Sequence, residues 1–132
     1  MTAIKQVIVM RKDLNMRKGK MVAQGSHASM AFITRRFIDI ADDYGTATHA
    51  LALSAIEKRW LEESFVKICV SVDSEDELLA IQNAATEAGI VCHLITDNGL
   101  TEFDGVPTNT CLALGPDLST RIDPLTSHLK LL

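Results

Sequence analysis

Residues 65–95, FVKICVSVDSEDELLAIQNAATEAGIVCHLI, read in turn as strand, helix and strand. Phe65–Val72 is rich in β-branched residues, and Ser74 stands three positions before Glu77 as in a capping box. Gly89 follows the last helical position, where a left-handed stop is favoured, and Ile90–Ile95 resumes the apolar strand. Working outward, Ile4–Met10 and Thr108–Leu114 give two more apolar runs. IKQVIVM, VKICVSV and IVCHLI are continuous rather than alternating, which suits strands covered on both faces. Strands interleaved with helices predict an α/β protein: one layered domain over residues 1–132, with a mixed sheet of about four strands flanked by helices.

Two further helices are expected. From about Gly19 to about Ile38, Met21, Val22, Ala28, Ala31 and Phe32 recur at helical spacing; from Thr46 to Glu62, Ala50, Leu53, Ile56, Trp60 and Leu61 do the same. Asp42–Gly45 between them reads as a turn.

The 132 residues, 47% of them apolar, suffice for a core without a disulfide framework. Cys69, Cys92 and Cys111 fall in strand-like runs without zinc-type spacing, which predicts buried thiols in a reducing compartment and no metal. The opening MTAIKQVIVMRKDL has too short an apolar stretch for a signal peptide, and nothing approaches a membrane span. A cytoplasmic protein with no membrane partner is expected.

Charge is segregated along the chain. Before residue 37, Lys5, Arg11, Lys12, Arg17, Lys18, Lys20, Arg35 and Arg36 face Asp13 alone, although the whole chain carries 13 basic residues against 17 acids. Five of these lie in Arg11–His27, RKDLNMRKGKMVAQGSH, at the start of the first helix. Lysines there oppose the positive end of the helix dipole, a conflict that a bound anion such as phosphate removes. The same run also fits a solvated turn that only keeps the protein soluble. Lys20, Gln24 and His27 step by four and three, so they project from one side of the helix.

The loop TDNGLTEFDGVP gathers Asp97, Asn98, Thr101, Glu102 and Asp104 between two strands, where loops commonly carry chemistry. Asp97-Asn98-Gly99 is also ordinary turn chemistry. A triad of Ser26, His27 and Asp97 fails, because adjacent helix residues point in different directions. The aromatic residues are scattered, which argues against a base-stacking module for single-stranded RNA.

With both segments in view, the chain resembles the archaeal and eukaryotic type of peptidyl-tRNA hydrolase, the second of two unrelated classes. The resemblance rests on Lys5–Leu14, Met16–Lys20, Ala23-Gln24, Ser26–Ala28, Val72–Glu75, Asp97–Glu102, Leu114–Pro116 and His128–Leu131, in family order. Gly25 and Asn98 depart from the usual residues, and Ile33–Ser64 matches poorly.

The resemblance implies a compact α/β fold, usually a homodimer, that hydrolyses the ester between a peptide and the terminal ribose of tRNA. Peptidyl-tRNA is then the partner, and no cofactor is called for. Its functional positions fall on Lys18, Lys20, Gln24, His27, Asp97, Thr101 and Thr110, with Thr108 as the alternative to Thr110. On this reading Asp97 orients or deprotonates water, Lys18 supplies positive charge, and Thr101 and Thr110 hydrogen-bond the ester or water. Arg11, Lys12 and Lys20 bind phosphate, with Gln24 and His27 among the substrate contacts. A non-catalytic tRNA-binding domain and a protein-interaction module are the other classes the scaffold allows.

Overall fold

The computed structural model describes residues 3–40 and 47–132. Its principal sheet has the order β5-β6-β1-β4-β7. These strands are β1 (Ile4–Arg11), β4 (Lys67–Val72), β5 (Cys92–Asp97), β6 (Thr108–Leu118) and β7 (Lys130–Leu131). β1 runs parallel to β4 and antiparallel to β6, which is antiparallel to β5. The carboxyl ends of β1, β4 and β5 therefore meet at one edge of the sheet, beside the start of β6. In open α/β sheets, that edge is where ligands bind.

Alternating residues of the central strands feed two cores. Val7 and Val9 of β1, with Val70, Val72, Leu112 and Leu114, are buried against Leu78, Ile81 and Ala85 of α3 (Glu75–Glu87) and Ile122 of α4 (Ser119–Thr126). Ile8 and Met10, with Ile95, Cys111 and Ala113, take Ala28 and Ala31 of α1 (Lys18–Thr34) on the opposite face. Helices on both faces explain why the strands read as unbroken apolar runs. A third cluster of Ile4, Phe32 and Trp60 anchors α2 (Ala55–Arg59), which continues as a π-helical turn over Trp60–Ser64.

α3 keeps its expected start, with Ser74 Oγ accepting from the Glu77 N–H at 3.1 Å. The region before it differs from the sequence reading. α1 stops at Thr34, and Ile38–Ile40 (β2) instead pairs antiparallel with Thr48–Ala50 (β3). The second helix begins at Ala55 because Ser54 and Glu57 form a reciprocal capping box, with bonds of 3.1 and 2.9 Å. The expected Asp42–Gly45 turn and the expected helix start at Thr46 lie outside the described residues. β4 starts at Lys67 because Phe65 takes a left-handed conformation (φ 54°) that closes the π turn.

The three cysteines also separate. Cys111 is buried as expected, Cys92 is only partly so, and Cys69 is exposed on β4, against the expectation of a buried thiol. Burial pushes the thiols of Cys92 and Cys111 up to about 12 and about 11, so both stay protonated near neutral pH. Among the described residues, no helix is long and apolar enough to cross a membrane.

Candidate active site

α1 begins where Arg17 holds an extended backbone and supplies no side-chain cap; its first turn contains no acid. Lys20 Nζ donates to Asp97 Oδ1 at 2.9 Å and to Thr101 Oγ1 at 2.8 Å. One turn on, Gln24 Nε2 donates to the same Asp97 oxygen at 3.2 Å, while Gln24 Oε1 accepts from Thr110 Oγ1 at 2.6 Å. The Gly99 N–H occupies the other carboxylate oxygen, Oδ2, at 2.9 Å. Residues from α1, the end of β5, the following loop and the start of β6 thus join in one network.

Burial grades these groups. Gln24 and Thr110 are buried, whereas the side chains of Lys20 and Asp97 retain 14% and 11% exposure. Asp97 and Lys20 keep an exposed side, whereas Thr110 is fully buried and meets Gln24 alone of these groups. The Lys20 ammonium, helped by the Gly99 N–H and the Gln24 amide, holds the Asp97 carboxyl below the usual carboxylate range despite its desolvation. Asp97 is consequently a carboxylate at neutral pH, and a weakly basic one. It is better suited to fixing a water molecule than to removing a proton by strength alone.

The loop that carries Thr101 is tied to itself. Leu100 N–H donates to Asn98 Oδ1, and the N–H groups of Phe103 and Gly105 both reach the Gly99 carbonyl. Gly99 adopts φ +83°, and a Cβ there would lie 2.2 Å from the Val106 carbonyl oxygen, so the turn requires glycine. Thr110 owes its position to a bulge. Ile95 pairs with Cys111 but Thr96 pairs with Asn109, leaving Thr110 as the extra residue of β6, with its hydroxyl turned towards Gln24 and the Ile95 carbonyl.

The other expected site residues lie elsewhere. Lys18 is exposed on the opposite flank of α1, at an apolar trough lined by Met10, Met21, Val22 and Phe65. The cation beside Asp97 is Lys20, because two helical positions are separated by roughly 200° of rotation. His27 lines a separate hollow with Met30, Thr34, Arg35 and Ile95, farther along α1. Lys12 is exposed, and Thr108 donates locally to the Val106 carbonyl. Arg11 is buried: its guanidinium donates to Asp13 through two bonds of 3.1 and 2.7 Å, and to the Asn109 carbonyl at 3.0 Å. It therefore does not stand free to meet a phosphate.

Two groups at the site carried no role in the sequence reading. The Gly99 N–H was visible only as part of the Asp-Asn-Gly turn signal. Arg17, counted within the basic run, is exposed and lies 3.7 Å from Glu102 on the site loop. Among the described residues, no group of three or more His, Cys, Asp or Glu side chains is placed to hold a metal ion.

The family model described as Peptidyl-tRNA hydrolase PTH2 matches residues 4–132. The chain belongs to this family. A peptidyl-tRNA hydrolase of Methanocaldococcus jannaschii is 41% identical over 129 residues, covering 98% of this chain and 100% of that protein. One from Methanothermobacter thermautotrophicus has the same identity and coverage. A probable peptidyl-tRNA hydrolase 2 of Dictyostelium discoideum is 36% identical, covering 96% of this chain and 54% of that longer protein. The match to the peptidyl-tRNA hydrolase family spans the poorly matching Ile33–Ser64 segment as well as the network around Asp97.

Proposed function

We propose that this family member cleaves the ester between a peptide and the terminal ribose of tRNA, at the Asp97 network. The observation that supports it most strongly is the convergence of Lys20, Gln24, Asp97, Thr101 and Thr110 at the carboxyl edge of the sheet. A pure tRNA-binding or protein-interaction domain needs no such arrangement.

The network suits ester hydrolysis as follows. Asp97, held by Lys20, Gln24 and Gly99, accepts a hydrogen bond from the attacking water and directs its oxygen at the ester carbonyl. As the C–O bond to water forms, the water proton passes to Asp97 and negative charge develops on the carbonyl oxygen. The Lys20 ammonium stabilises that charge, and the Thr101 hydroxyl, which accepts from Lys20, keeps its own proton to donate. Collapse breaks the bond to ribose, and the proton passes to the departing ribose oxygen. The products are a peptide carboxylic acid, which ionises, and tRNA with a free hydroxyl. Lys20 thus takes the charge-stabilising part that the sequence reading gave to Lys18. Lys18, Lys12 and Arg17 bind tRNA phosphates, and His27 is a more distant substrate contact.

The family resemblance also supports a homodimer, and one surface suits it. Val22 and Met30 on α1, with Phe65 and Leu132, are exposed apolar side chains lining the trough, the kind of surface that marks a partner site. A cytoplasmic location agrees with three free cysteines. The activity is tested by incubating the protein with N-acetyl-aminoacyl-tRNA and, separately, with free aminoacyl-tRNA. Release of tRNA from the N-blocked substrate well above the free one supports the proposal, and equal inertness towards both rejects it.

A further inference from the structure

We propose that Arg11 is a positioning residue for the reaction, fixing the β6 bulge that presents Thr110 to Gln24. This rests on the catalytic reading of Asp97 and adds to it a device that sets the geometry. The Thr110 hydroxyl reaches Gln24 only because β6 holds one extra residue between its pairs with Ile95 and Thr96. A bulge is a local break in a ladder, so the residue closing it must be held by other bonds. Asn109 is that residue, and it is gripped twice. Its carbonyl accepts from Arg11 Nη1 at 3.0 Å, and its side-chain oxygen accepts from Thr96 Oγ1 at 2.6 Å. Thr96 immediately precedes Asp97, so both grips bear on the two strands that carry Thr110 and Asp97.

Arg11 is built for this task. Its side chain is only 10% exposed, and Asp13 locks the guanidinium plane through both carboxylate oxygens. Glu75, at the first turn of α3, lies 3.4 Å from the same nitrogen that holds Asn109. The cation thereby ties the β1–α1 loop and α3 to the start of β6, with its charge answered by two carboxylates. Lysine could keep the charge but not the planar fork.

The test uses Arg11→Lys and, as a second variant that leaves Arg11 intact, Thr96→Val at an exposed position. Each is assayed on N-acetyl-aminoacyl-tRNA well below its melting temperature, with kcat, KM and the salt dependence of KM recorded. Misplacement of reacting groups lowers turnover without altering phosphate contacts, so kcat should fall on the order of tenfold or more while KM and its salt slope stay unchanged. A lower melting temperature with normal kcat in both variants makes the network merely structural and overturns the proposal. A raised KM with a shallower salt slope for Arg11→Lys makes Arg11 a phosphate contact and also overturns it. If Arg11→Lys does not fold, the kcat of Thr96→Val decides. Asp97→Asn is assayed in parallel: near-normal kcat there rejects the catalytic reading itself, whereas a fall there with normal kcat in the other two variants rejects the role of Arg11 alone.

Discussion

At the residue scale, the proposed catalysis turns on a carboxylate kept ionised by its neighbours. Because Lys20 is the principal cause of the depressed Asp97 pKa, replacing it with Met should raise that pKa towards the ordinary Asp value of about 3.9. The acid limb of the pH–kcat profile should then move to higher pH, alongside a lower plateau from the lost ammonium. The sign also applies to stability: a depressed carboxyl stabilises the fold above its unfolded pKa, and that contribution is lost as pH falls through the folded value. An acid limb that stays in place would separate Asp97 from the rate. Spacing in the sequence singled out Asp97, Thr101 and Gln24, because a loop between strands and a four-residue helical step are local patterns; Thr110 came only from the family resemblance. Spacing did not separate Lys18 from Lys20. That choice depends on which flank of α1 faces β5, a matter of helix phase against the sheet. Nor did it show that Arg11 turns inward, since the burial of a strand's last residue depends on the loop and helix that close over it.

At the element scale, the clearest sequence patterns produced the correct elements and the weaker ones did not. The Ser74 cap of α3 and the apolar runs of β1, β4, β5 and β6 survive with shifts of a few residues at their ends, although Glu77 accepts from the Asp73 N–H and so leaves the expected capping box half made. The second helix was drawn too long because its apolar spacing extends back through Leu53 and Ala50, whereas its start is fixed by the polar pair Ser54 and Glu57. The β2–β3 hairpin is only three residues per strand and β7 only two, too short for either period to register. Ser54→Ala should therefore cost about 0.5–2 kcal/mol of stability, read as a lower denaturant midpoint with unchanged slope. Because Ser54 lies away from the Asp97 network, kcat at 25 °C should be unaffected. A variant as stable as the parent would remove the capping box as the reason the helix begins there.

At the scale of the whole molecule, an acidic protein must bind a polyanion through a local field. Lys12, Arg17 and Lys18 are exposed near the start of α1, while Arg11 is neutralised by Asp13 and Glu75. Lys12→Ala and Lys18→Ala should each weaken binding similarly across tRNA species, since phosphate contacts carry little sequence information. Each should also reduce the magnitude of the log–log salt slope by roughly 0.7–0.9. Unchanged affinity and slope in both would return the basic run to a role in solubility. The central claim, that Asp97 drives ester cleavage rather than substrate capture, is tested most directly by single-turnover hydrolysis of N-acetyl-aminoacyl-tRNA at saturating enzyme, comparing the parent with Asp97→Asn. The account predicts a rate lower by on the order of a hundredfold or more, with tRNA affinity retained or slightly increased because a negative charge has been removed. Cleavage at near the parental rate under those conditions would contradict it.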